Sequence, residues 1–198
     1  MGLKRSRGGE VVMINSHLGR LAKAARTLQH PAVNDQDHAH EAQQHLAAAG
    51  GYLELGMLED AADELGKLPP PLRDSREAMG VCALIQLKAS AWERLREVGG
   101  HLTRNWPDEA NHWIWLAYAT RRCHSLAEAE LVLLEALKHH DAEPMIHFNL
   151  ACYAAQLGRL NDATTRLERA IAMDSQFRRM ALLDPDLKPL WAALGKPA

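Results

Sequence analysis

The sequence predicts an all-α protein assembled from stacked helical hairpins, an α-α solenoid, and three observations carry that prediction. Ala49, Ala83, Ala117 and Ala151 recur every 34 residues, and Gly56, Ser90, His124 and Gly158 each follow seven residues later. Ala61, Leu95, Ala129 and Ala163 keep the same phase twelve residues on, and Leu68, Leu102, Ala136 and Ala170 nineteen on. A fixed period of this size marks stacked supersecondary units, none of which can bury its apolar face alone. The prolines supply the second observation, falling at joints between proposed helices: Pro69-Pro70-Pro71, Pro107 and Pro144. Inside a helix each would cost about 3 kcal/mol. Third, no segment of useful length alternates apolar and polar residues with period two, so no sheet is expected.

The elements follow in order. Residues 1–14 read as a flexible basic leader. Its opening Met1-Gly2-Leu3-Lys4-Arg5-Ser6 fits the N-myristoylation pattern, but a plain leader or a misassigned start, with Met13 as the alternative first residue, is preferred. Val11-Val12-Met13-Ile14 is too short for a signal-peptide core. Residues 15–30 read as one amphipathic helix, with Leu18, Leu21, Ala22, Ala25 and Leu28 on its apolar stripe and His30-Pro31 at its end. Asn34 or Asp35 can cap the next helix. Residues 31–177 form the repeat array, in units of about 42–75, 76–109, 110–143 and 144–177.

Small residues at matching points let paired helices approach closely, while Leu65, Leu116, Leu133, Leu150 and Leu167 fill the space around the contact. Gly56 and Gly158 suit a tight turn needing positive φ. Ser90 and His124 replace glycine at the two middle turns, which are therefore expected to be built differently. Residues 178–198 read as a capping helix and tail. Asp184 is its N-cap, Pro185 its first helical residue, and Leu187, Leu190, Trp191 and Leu194 have the spacing to shield the exposed end.

This pattern resembles the tetratricopeptide repeat. His147-Phe148-Asn149-Leu150-Ala151 through Gly158, Ala163, Leu167 and Ala170 is a close match, and Trp113-x-x-Leu116-Ala117 matches the repeat's W-x₂-L-G core with alanine for glycine. Tyr52, Gly56, Ala61 and Leu65 are in register in the first unit. The second unit is degenerate, with Gln86, Leu95 and Gly99 at its key positions. The resemblance implies a right-handed α-α superhelix of about four units with flanking capping helices. It also implies a concave groove, lined by the first helix of each unit, that holds an extended peptide or a partner helix. Transferred to this chain, the groove positions are Glu77, Val81, Leu84 and Lys88, then Asn111, Ile114, Trp115, Tyr118, Arg121 and Arg122, then Met145, Phe148, Asn149, Cys152 and Gln156. Trp115, Tyr118 and Phe148 would be rigid anchors, Arg121 and Arg122 partners for a carboxylate, and Asn149 a two-way hydrogen bonder to peptide backbone. The relatives that clamp the carboxylates of C-terminal Glu-Glu-Val-Asp tails use lysine, asparagine and arginine. Only Asn149 matches that clamp here, so that specificity is not expected.

Composition narrows the remaining classes. A net charge of −2, with Glu59, Asp60, Asp63 and Glu64 together on a second helix, provides no basic field for nucleic acid. No apolar run is long enough to span a membrane. Cys82, Cys123 and Cys152 lie in separate units without a CxxC pair, which suits small buried thiols in a reducing compartment, and a cytoplasmic protein is expected. His38, Glu41 and His45 share a helix face, but His45 sits where the repeat packs against its partner helix, so no metal site is assigned. His139 and His140 are read as cations at a helix C-terminus. There is no phosphate loop or nucleophile elbow, and the register brings no Cys/His pair together. The sequence thus predicts no cofactor and no catalysis. It points to a protein- or peptide-binding scaffold, with a small secretion-type chaperone shielding a client's apolar segment, or a self-assembling homo-oligomer, as alternatives.

Overall fold

A computed structural model describes residues 35–195, with side chains from residue 40 onward. The leader 1–14, the helix expected at 15–30, the His38 side chain and residues 196–198 lie outside the described residues. Within them every regular element is helical, with no strand. They divide into two compact units, 35–106 and 107–195.

The unit 35–106 holds α1 (Asp35–Leu55), α2 (Leu58–Lys67), a short α3 (Pro70–Arg73), α4 (Arg76–Lys88) and α5 (Trp92–Asn105). α1 pairs with α2 and α4 with α5, and α4 packs against both members of the first pair. Ala42, Leu46, Leu68 and Ala78 form a core cluster with Leu65 and Leu72 against it. The triple proline that ends α2 also starts α3, since proline is tolerated in a first turn. From α3, Arg73 reaches back to cap the end of α2. Its Nε donates to the Leu68 carbonyl at 2.7 Å and its Nη2 to that of Gly66 at 2.8 Å. His45 links α1 to α2: its Nδ1 donates to Glu64 Oε2 at 2.6 Å, while Lys67 Nζ donates to Glu64 Oε1 at 2.7 Å. The Lys67 bond, and after it the His45 bond, lower the Glu64 pKa.

The unit 107–195 holds α6 (Ala110–Cys123), α7 (Leu126–Ala136), α8 (Pro144–Gln156), α9 (Leu160–Met173), α10 (Gln176–Leu183), a 3-10 turn (Pro185–Leu187) and α11 (Lys188–Ala193). α6 pairs with α7 and α8 with α9, and α7 also touches α8. Ser125 starts α7 by accepting from the Glu128 N–H at 3.1 Å, and Pro144 occupies the first turn of α8. Across both units Ala49, Ala83, Ala117 and Ala151 are wholly buried. So are Ala61, Leu95, Ala129 and Ala163, and Leu68, Leu102, Ala136 and Ala170. The repeat period is therefore a period of helix contact.

Three of the hairpin turns share one construction. Gly56 and Gly158 have φ of 77° and 78°, and Ser90, without glycine's freedom, has φ of 56°. In each, the next residue's N–H bonds five residues back at 2.9 Å: Met57 to Tyr52, Ala91 to Gln86 and Arg159 to Ala154. The expectation of two distinct middle turns is thus corrected at Ser90. It stands at His124, whose φ is −123°. The reading of His139 and His140 is also corrected, because α7 ends at Ala136. His140 Nε2 instead donates to the Pro107 carbonyl at 2.7 Å, and the His139 ring stacks on Trp113 at 6.3 Å.

The capping helix expected from Pro185 begins there as a 3-10 turn and continues as α11, after α10 has ended at Leu183. Asp184 does cap, accepting from the Asp186 N–H at 2.9 Å, with Pro185 first in the turn. Leu187 and Leu190 are buried, and Trp191 Nε1 donates to the Ala181 carbonyl at 3.0 Å. Leu194 is 53% exposed, contrary to its spacing, because α11 stops at Ala193. No helix among the described residues is long and apolar enough to cross a membrane.

Candidate functional site

The groove positions of the unit 35–106 lie on α4. Val81 and Leu84 are core residues there, while Glu77 and Lys88 are half-buried near the two ends of the helix. In the unit 107–195 the positions divide in the same manner. Trp115 and Phe148, expected as anchors for a partner, are 1% and 2% exposed and serve the core instead. The Phe148 ring packs on Phe177 at 5.3 Å and the Trp115 ring on His112 at 5.8 Å. Ile114 and Cys152 are buried as well. Burial removes the large apolar area of both rings from water.

What stays accessible is polar or amphipathic. Asn111, Tyr118 and Arg122 on α6, with Met145 and Asn149 on α8, are half-buried. Asn111 Nδ2 donates to Glu109 Oε1 at 2.7 Å. α6 and α8 adjoin where the Arg121 guanidinium lies over the Tyr153 ring, 5.4 Å from its centroid. Two first helices of consecutive hairpins thereby present amide, phenol, guanidinium and thioether groups within one unit. Such a set suits an extended backbone and its side chains.

Arg121 and Gln156 are engaged by the C-terminal segment. Arg121 Nη1 and Nη2 donate to Asp186 Oδ2 and Oδ1 at 2.5 and 2.9 Å, a fork-to-carboxylate bond between residues 65 apart in sequence. Gln156 Nε2 donates to the Asp186 carbonyl at 2.7 Å. Burial works against the Arg121 charge, but the hydrogen bond and charge of Asp186 outweigh it and raise its pKa. Burial raises Asp184 as well, with the Asp186 charge adding and the Asp186 N–H opposing. Tyr153 is pushed up by burial despite Arg121 beside it, and Cys152 by burial and then by Asp184 and Asp186. The Cys152 thiol is therefore held protonated, the form that is a poor nucleophile.

Sequence reasoning marked Arg121 as a carboxylate partner and Gln156 as a groove residue, yet took Asp184 only as a cap and passed over Asp186 and Tyr153. The periodicity stops at Phe177, so no register placed Asp186 beside Arg121. The two acids of Asp184-Pro185-Asp186-Leu187 were the available signal.

No protein-family model and no curated protein matches the chain. Solved structures do. A thermophilic tetratricopeptide-repeat protein of Thermus thermophilus superposes with a TM-score of 0.60 at 20% identity, over 78% of this chain and 88% of that one. The MamA protein gives 0.65 at 12% identity, over 78% and 83%. YrrB, described as a tetratricopeptide-repeat protein with an unusual peptide-binding site, gives 0.58 at 12% identity, over 76% of each chain. At these identities the likeness is one of fold.

Proposed function

We propose that this chain, whose fold is that of the tetratricopeptide-repeat proteins, is a non-catalytic scaffold that binds a peptide or partner helix along the first helices of its hairpins. The observation that carries this is the half-buried set on α6 and α8, namely Asn111, Tyr118, Arg122, Met145 and Asn149. A purely structural array has no need of such a set on the inner helix of two successive pairs. Tyr118 supplies apolar area with a polar tip, Asn149 both a donor and an acceptor for peptide backbone, and Arg122 a charge. The peptide-binding site described for YrrB shows that this fold can hold a peptide, and supports the same class of ligand here.

Capture from lysate with the double variant Tyr118→Ala/Asn149→Ala tests the reading. Partner recovery is expected to fall about tenfold, as for loss of a modest hot spot, with helical signal and melting temperature retained. Undiminished recovery by a folded variant would remove this surface as the site.

A further inference from the structure

The 184–187 segment meets positions that the resemblance to tetratricopeptide-repeat proteins assigns to a ligand groove. Arg121 and Gln156 are two groove positions, and both hydrogen-bond to Asp186. The contacts resemble those made to a bound peptide. A guanidinium fork reads one carboxylate, an amide reads the carbonyl of the same residue, and the next side chain, Leu187, is wholly buried where the 3-10 turn packs on α8. Arg121 lies over the ring of Tyr153, which is 2% exposed beneath the segment.

We infer that Arg121, Tyr153 and Gln156 form a site for an acidic peptide, that the chain's own Asp184-Pro185-Asp186-Leu187 occupies it in cis, and that a protein partner binds by presenting an Asp-Leu pair that replaces this segment. The inference rests on the scaffold reading above and names the chemistry of the partner at one end of that surface. Arg121 is the specificity element, because a fixed guanidinium fork selects a carboxylate over an amide. Two carboxylates two residues apart share a partly buried turn, where Asp184 accepts from the Asp186 N–H at 2.9 Å and Asp186 takes the Arg121 fork. Leu182 and Leu183, the last residues of α10, are 65% and 74% exposed, while Leu187 and Leu190 anchor the far side of the segment in the core. A partner with a single well-placed aspartate gains the Arg121 fork without the second acid.

The test uses the full chain and a fluorescein-labelled peptide with the sequence of residues 181–195. A site filled in cis weakens apparent affinity by the fraction of time it is open, so D186A in the chain is expected to bind the peptide about tenfold more tightly than wild type. Adding R121A should abolish that gain, and a peptide carrying D186N should not bind. A cooperatively melting D186A chain that binds no more tightly than wild type overturns the proposal, as does equal binding of the D186N peptide. If D186A does not melt cooperatively, wild-type hydrogen exchange decides. Peptide at its solubility limit is expected to raise exchange across 184–193 and leave α9 unchanged, and no rise overturns the proposal. A concentration-dependent dimer lost on D186A would assign the site to a second copy and overturn it too. If the peptide is ignored while Tyr118→Ala/Asn149→Ala still loses its partner, the acidic specificity fails and the scaffold reading stands.

Discussion

Ser90 holds the left-handed backbone that Gly56 and Gly158 adopt at the equivalent turns. With a Cβ that conformation costs about 1–2 kcal/mol, and Ser90 is exposed with no burial to compensate. Ser90→Gly is therefore expected to raise unfolding free energy by about 1 kcal/mol, read from urea titration, with Gly158→Ala moving the opposite way. The glycines were legible as turn residues because their side-chain type declares the φ they permit. Ser90 was not, because its conformation is imposed by the Ala91 to Gln86 bond between packed helices. His147 shows a second imposed state. It is wholly buried, its Nε2 donates to the Asp141 carbonyl at 2.8 Å, and its Nδ1 faces Arg166. Burial first, with Arg169 and Arg166 adding and the Asp141 carbonyl opposing, lowers its pKa below the ordinary 6.5. The unfolded chain then takes up a proton that the folded chain refuses, so this contribution to stability is complete above 6.5 and lost as pH falls beneath it. Melting temperature should drop more steeply for wild type than for His147→Gln between about pH 7.5 and about pH 5.5.

Helix α1 carries Gly50 and Gly51 in its interior, where glycine costs about 1 kcal/mol relative to alanine. At Gly51, which is exposed, a Cβ meets no heavy atom within 4 Å. Gly51→Ala is accordingly expected to stabilise the chain by about 0.5–1 kcal/mol, read as a higher urea midpoint with unchanged slope. Element boundaries were legible where local chemistry sets them, as at Pro144 and at the Ser125 cap. They were not where a distant group does. α7 stops at Ala136 and gives way to a looser turn that His140 pins to the Pro107 carbonyl, 33 residues earlier. The break after α10 is again local, set by Asp184 as cap and Pro185 in the first turn, and what the distant Arg121 adds is the fork on Asp186.

At the scale of the whole molecule, the two tests of binding, Tyr118→Ala/Asn149→Ala for the partner surface and D186A for the acidic site, separate a general scaffold from one with a built-in competitor. Both concern groups that composition and spacing identified as polar and near the inner helices. Their present roles depend on which neighbours reached them. By itself the sequence determined the all-α hairpin architecture and its buried seam, because a 34-residue period of small and apolar residues leaves one way to remove them from water. Only the tertiary structure decided which of the expected groove positions are buried and which stay accessible. Trp115 and Phe148 went into the core, where their large rings leave water. Arg121 was claimed by Asp186, a contact between residues 65 apart that no periodicity encodes and that exists only because the chain turns back after its last repeat.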